Sequence, residues 1–199
     1  MKALGWNCQG MGKNLGSNKM LYLARMIHAA IPKVSFISEI KSTKVNSSHL
    51  ISRFNMSDAF VVPSRRRSGG LWLMWNDDVK LTVHSSNFHV ILAMVTVLSS
   101  NQHFGLICIY GDLYHRQTSE IWNQVATFMY NNLKLPMLCM GDLNELLYAV
   151  DKNSFNVNVS RMNAFHLLIK NCGFFDLGFS GPAFTGLIKD SLLNQFMKD

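Results

Sequence analysis

Several side chains with oxygen or hydrogen-bond chemistry stand where apolar runs stop. The clearest are Asp142 and Asn144 in Gly141-Asp-Leu-Asn-Glu145, directly after the run Leu135-Pro-Met-Leu-Cys-Met140. That run reads as a buried strand entered from an edge, because proline leads it and cannot donate to a ladder. Gly141 is expected to break the strand, and two polar residues two positions apart then reach the rim on one side. The same Asp-x-Asn also suits an ordinary turn, since both side chains bond their own backbone. Glu39 lies near the end of the β-rich, apolar stretch 34–40, where a carboxylate must be paired, metal-bound or at the rim. Asn7 and Tyr110 also fall at predicted strand ends. Gathered on one edge, Asn7, Glu39, Tyr110, Asp142 and Asn144 would form a cluster of oxygen ligands and donors suited to a hard cation.

The elements that must position these residues can be read from periodicity. Strands are expected at 3–7, 34–40 and 59–62, then at 71–75, 79–84, 89–97 and 104–110, where short links argue for an antiparallel meander. A helix from an N-cap at Asn18 carries Met20, Leu21, Leu23, Ala24, Ile27 and Ile31 at helical spacing and closes at Pro32. A weaker helix covers 47–54. A strong one covers 119–133, with Ile121, Trp122, Val125, Phe128, Met129 and Leu133 on one face. Another begins at Ser160, turns Phe165, Leu168 and Ile169 inward, and stops at Cys172-Gly173. Helices alternating with strands, plus the meander, predict an α/β sandwich of two packed, mainly antiparallel sheets.

Composition narrows the function classes. The chain has 199 residues, and its 19 Lys and Arg against 12 Asp and Glu give +7, a balance compatible with a polyanionic partner such as nucleic acid. Arg65-Arg-Arg67, beside Gly69-Gly70, forms a basic loop suited either to phosphate contact or to a solvated turn. The four cysteines are far apart without a C-x-x-C pair, so neither a disulfide nor a zinc site is expected. The N-terminus is too soon polar for a signal peptide and no apolar run approaches the ~18 residues of a membrane helix. The expectation is a soluble nuclear or cytoplasmic chain.

Trp6-Asn-Cys-Gln-Gly10, Ser38-Glu-Ile-Lys-Ser42, Ser68-Gly-Gly-Leu-Trp72, Tyr110-Gly111 and Gly141-Asp-Leu-Asn-Glu145 occur in the order and approximate spacing of the endonuclease/exonuclease/phosphatase superfamily, which the chain resembles over residues 1–185. Within it, Cys172-Gly-Phe-Phe-Asp-Leu-Gly-Phe-Ser-Gly-Pro-Ala-Phe-Thr185 is similar to the endonuclease domain of plant LINE-type (non-LTR) retrotransposons. The resemblance implies a four-layered sandwich flanked by helices that cleaves phosphodiesters with magnesium, or manganese in its place, and nicks DNA. It makes Glu39 the metal carboxylate, with Asn7 beside it in the metal and phosphate shell. It makes Tyr110 a phosphate contact, Asp142 the residue that orients or activates water, and Asn144 the group that binds the oxygen gaining charge. Arg65, Arg66 and Arg67 would meet DNA phosphates with Asn144.

The sequence departs from the family after Thr185. Leu193 stands where the resemblance expects an aspartate, and the family's closing Ser-Asp-His strand has no counterpart before Asp199. The expectation is therefore a domain at 1–185 lacking its last strand or strands, a degenerate tail at 186–199, and impaired turnover. None of the seven histidines lies in a matching context; His115 and His166 read as surface or helix-packing residues, and Asp176 as a loop organiser. The competing readings are an inactive nucleic-acid-binding remnant and a small-molecule phosphatase of the same superfamily.

Overall fold

The computed structural model describes residues 1–11, 17–42, 47–65, 68–151 and 157–178. Packing divides the chain into two units, Met1–Asn144 and Glu145–Asp199.

The first unit is built from two four-stranded mixed sheets. One has the order β1 (Ala3–Asn7), β2 (Val34–Ser38), β4 (Leu71–Trp75), β3 (Asp58–Val62), and the other the order β5 (Val79–Ser86), β6 (Val90–Val97), β7 (Gln102–Tyr110), β8 (Met137–Asp142). Each sheet has one parallel pair, β1 with β2 and β7 with β8, and the remaining pairs are antiparallel. The predicted meander is thus divided. Leu71–Trp75 joins the first sheet, and the chain crosses to the second through a turn in which Val79 N–H donates to the Asn76 carbonyl.

Period-2 alternation decides which side chains meet between the sheets. Phe36, Leu71, Leu73, Ile91, Ala93, Val95, Leu106, Cys108 and Tyr110 form the inner core. Ile37, Trp72 and Met74 face the other way, against Met20, Leu23 and Ile27 of α1 (Asn18–Ala30) and Leu50 and Phe54 of α2 (Ser47–Phe54). The strands β2 and β4 are covered on both faces, and so read as nearly continuous apolar runs. On the second sheet, α3 (Thr118–Tyr130) buries Ile121, Trp122, Val125 and Phe128. The result is an α/β sandwich of helices, sheet, sheet and helix.

Local chemistry moves some predicted boundaries. Ser17, not Asn18, caps α1: its Oγ accepts from Met20 N–H and donates to the Met11 carbonyl at 2.7 Å. Ile31 ends that helix in the left-handed conformation, φ 46°, with its N–H donating to the Ile27 carbonyl, and Pro32 bars it from continuing in the α region. The helix α3 stops at Tyr130 because Asn132 turns its amide back onto the Phe128 carbonyl at 2.8 Å, which leaves Leu133 exposed rather than inward. β8 is half-buried rather than buried, being an outer strand of its sheet among the described residues. Gly141 does not break it. The pairing continues through Ile109 with Gly141 and Tyr110 with Asp142.

The second unit holds a short 3-10 turn, Ala149–Asp151, and α4 (Val159–Asn171), capped by Asn158, whose side chain accepts from Arg161 N–H. Arg161 Nε donates to Glu145 at 2.9 Å, and Asp176 accepts from Gly178 N–H, the loop-organising role expected of it. His166 is exposed on α4, its ring edge-on to Tyr148. The tail at 186–199, Leu193 included, lies outside the described residues.

Candidate active site

The carboxyl ends of β1, β2, β7 and β8 lie at one edge of the sandwich, because the two parallel pairs run in register to Asn7 with Ser38 and to Tyr110 with Asp142. Asn7 crosses from the first sheet to the second: its Nδ2 donates to Asp142 Oδ2 at 2.5 Å, 135 positions away in sequence. Its Oδ1 accepts Gln9 N–H at 3.1 Å. A donor to a carboxylate on one side and an acceptor for an N–H on the other leave only one orientation for that amide.

Asp142 makes the predicted turn and faces the site at once. Oδ1 accepts Asn144 N–H at 3.0 Å while Oδ2 takes the Asn7 amide. Asn144 sits at φ 51°, a left-handed conformation that asparagine tolerates better than most side chains, and its Nδ2 donates to the Gly111 carbonyl at 2.7 Å. Gly111 N–H in turn donates to the Asp142 carbonyl at 2.7 Å. The ends of β7 and β8 are therefore stapled together just beyond Tyr110 and Asp142.

Glu39 follows β2 at φ 60°, and its carbonyl accepts Gly10 N–H at 2.7 Å. Its carboxylate, 16% exposed, is 2.5 Å from Lys41 Nζ. Gly69 and Gly70 do more than loosen the basic loop. Their carbonyls accept Lys41 and Ile40 N–H, and a methyl on Gly70 would lie 3.0 Å from Ile40 Cβ, so the close approach that backs Glu39 needs glycine there. Lys19 anchors the loop after Asn7 by donating to the carbonyls of Cys8 and Gln9 at 2.9 and 3.3 Å.

Tyr110 closes the inner core and is only 8% exposed. Burial, and then the negative charges of Glu39, Asp142, Asp112 and Cys8, push its phenol up to about 12. It therefore stays protonated, and able to donate, at neutral pH. Burial pushes Asp112 up, but backbone N–H groups of Tyr114, Gln117 and Arg116 outweigh this, His89 adds to their effect, and its carboxyl lies below the usual range.

The arrangement brings together all of Asn7, Glu39, Tyr110, Asp142 and Asn144. Of the basic loop, Arg65 is exposed and its guanidinium lies 5.6 Å from the centroid of the Phe88 ring; Arg66 and Arg67 lie outside the described residues. The sequence reading missed Lys41, whose place two residues after Glu39 was visible, and Asn87 and His89, which it left at the edge of a strand. His115 belongs to the turn after Asp112, its N–H donating to the Asp112 carbonyl.

No protein-family profile and no curated protein matches the sequence. Solved structures do match the fold. The AP endonuclease LMAP from Leishmania major superposes with TM-score 0.65 at 14% identity, over 86% of this chain and 66% of that one. The endonuclease domain of TRAS1, a telomere-specific non-LTR retrotransposon, gives 0.63 at 11%, over 90% and 74%. The human nocturnin catalytic domain gives 0.53 at 13%, over 74% and 65%. This chain has the endonuclease/exonuclease/phosphatase fold. It spans just under two thirds of nocturnin's catalytic domain and of LMAP. In this endonuclease/exonuclease/phosphatase sandwich, the edge that gathers Asn7, Glu39, Tyr110, Asp142 and Asn144 is formed by the carboxyl ends of the two parallel strand pairs. Among the described residues no helix is long and apolar enough to cross a membrane, and no disulfide joins the four cysteines.

Proposed function

We propose that this chain hydrolyses phosphodiesters of DNA with a divalent cation, at the edge formed by Asn7, Glu39, Tyr110, Asp142 and Asn144. The observation that carries the reading is the Asn7 to Asp142 hydrogen bond, which joins both sheets at the point where the polar strand ends meet. The endonuclease neighbours and the charge of +7 favour DNA as the polymer.

Glu39 and the Asn7 carbonyl oxygen fit magnesium. Magnesium keeps several waters and needs only one or two carboxylates from the protein. When bound, the ion would supply positive charge to the phosphoryl oxygens. Asp142, oriented by the Asn7 amide and by Asn144 N–H, takes the proton of the attacking water. Tyr110, held protonated, would donate to a phosphate oxygen, and the Asn144 amide N–H not used by the Gly111 carbonyl would donate to the oxygen that gains charge.

The Glu39–Lys41 pair favours a second reading, in which a lysine holds the carboxylate and the chain binds nucleic acid without turnover. The expectation of impaired turnover also draws on residues past 178, outside those described. Calorimetric titration of magnesium into wild type and Glu39→Gln, beside nicking of supercoiled plasmid, separates the readings. Weaker magnesium binding in the variant together with nicking by the wild type supports the enzyme. Equal magnesium affinities remove the metal site.

A further inference from the structure

The turn between β5 and β6 reaches the same edge as Tyr110. In a regular antiparallel ladder, His89 and Tyr110 would exchange two backbone hydrogen bonds. Only one is backbone to backbone: Tyr110 N–H donates to the His89 carbonyl at 2.7 Å. The N–H of His89 is drawn away by Asn87 Oδ1, 2.7 Å distant, which also accepts Val90 N–H at 2.9 Å. Asn87 is itself tied to Gln124 of α3 through its Nδ2 at 2.7 Å. The imidazole supplies the bond the ladder lacks, with His89 Nδ1 2.9 Å from the Tyr110 carbonyl oxygen. A carbonyl only accepts, so Nδ1 carries the proton and Nε2 keeps the lone pair. The imidazole also stacks on the Tyr110 ring, centroids 6.3 Å apart and planes 15° apart, with Phe88 edge-on at 5.3 Å.

We propose that His89 is the positioning residue of Tyr110, holding that strand end through Nδ1–H. The proposal rests on the phosphodiesterase reading of the site. Losing the Nδ1–H donor would free the strand end that carries Tyr110 opposite Asp142.

The test compares wild type with His89→Asn, whose Nδ2 takes the place of Nδ1, and with His89→Ala. Readouts are equilibrium binding of a labelled duplex in magnesium, nicking rate, and nitrogen-15 NMR of the His89 ring. His89→Ala should lose about tenfold in rate, as for one missing hydrogen bond, and His89→Asn should recover most of that loss. An Nε2–H tautomer in the wild type, an unimpaired His89→Ala, or no recovery in His89→Asn overturns the proposal. Should the wild type neither bind nor nick duplex, the phosphodiesterase reading fails, and the ring tautomer then decides the positioning claim by itself.

Discussion

A methyl group on Gly111 should do more damage than its size suggests. Gly111 joins the strand ends that carry Tyr110 and Asp142, donating to the Asp142 carbonyl and accepting from Asn144 Nδ2, both at 2.7 Å. A Cβ there would lie 1.9 Å from the Leu143 carbonyl oxygen and 3.2 Å from Asn144 N, both backbone atoms that no rotamer change can move. The β8 end would have to retreat by about 1 Å, since packed interiors leave little slack. That retreat strains both hydrogen bonds, worth about 1 kcal/mol each, and unseats their neighbours. The expected loss for Gly111→Ala is about 2–4 kcal/mol. The same displacement moves Asp142 relative to Tyr110, and a misplacement of about 1 Å can lower a rate by ~10²-fold. Urea unfolding of Gly111→Ala beside Gly5→Ala isolates the effect. At Gly5 the added methyl meets only Met140 Cε, the end of a flexible side chain, at 3.1 Å, so that variant should stay near wild type. If Gly111→Ala unfolds within about 0.5 kcal/mol of wild type, or Gly5→Ala is the worse of the two, the junction is not as close as these distances require.

Tyr110 should release its phenolic proton at about pH 12, read as the absorbance titration missing from Tyr110→Phe. The folded state holds that proton more tightly than the unfolded one, so its contribution is complete below about pH 10 and is lost as pH rises towards 12; unchanged stability over that window would contradict the assignment. Lys41→Met should bind magnesium more tightly than wild type and Glu39→Gln more weakly, because the first removes a competing charge and the second the ligand; calorimetry that ranks them the other way would count against Glu39. Replacing Arg65, Arg66 and Arg67 with alanine should flatten the salt dependence of duplex binding by about one unit of slope for each phosphate no longer neutralised, and an unchanged slope would assign the loop to solvent.

How much of this was legible in the sequence depended on the range of the interaction involved. The helices α1 and α3 and the strand ends carrying Asn7, Tyr110 and Asp142 follow from local periodicity; Met20, Leu23, Ile27, Ile121, Trp122, Val125 and Phe128 are buried as expected, whereas Leu21, Ile31 and Leu133 are exposed. The division of the meander was not legible. Leu71–Trp75 and Val79–Ser86 have similar apolar patterns, and only pairing with β2 and β3 assigns the first of them to the other sheet. Gly141 illustrates the same limit. Glycine was read as a strand breaker, whereas here its φ of 133° and its approach to the Ile109 carbonyl let β8 run on to deliver Asp142. At the site, residue types pointed to Asn7, Glu39, Asp142 and Asn144, but the Asn7 to Asp142 bond spans 135 positions and leaves no local trace. His89 was missed because its imidazole stands in for a backbone donor, a substitution set by Asn87 and Gln124 that periodicity does not record.

The claim that this edge hydrolyses phosphodiesters is tested most directly by nicking of supercoiled plasmid in magnesium, with wild type and Asp142→Ala side by side. Open circles should form with wild type only when the ion is present, and Asp142→Ala should slow their formation by at least ~10²-fold, as expected when a positioned proton acceptor is removed. Plasmid left intact by the magnesium-loaded wild type, or nicked equally by both proteins, would contradict that claim.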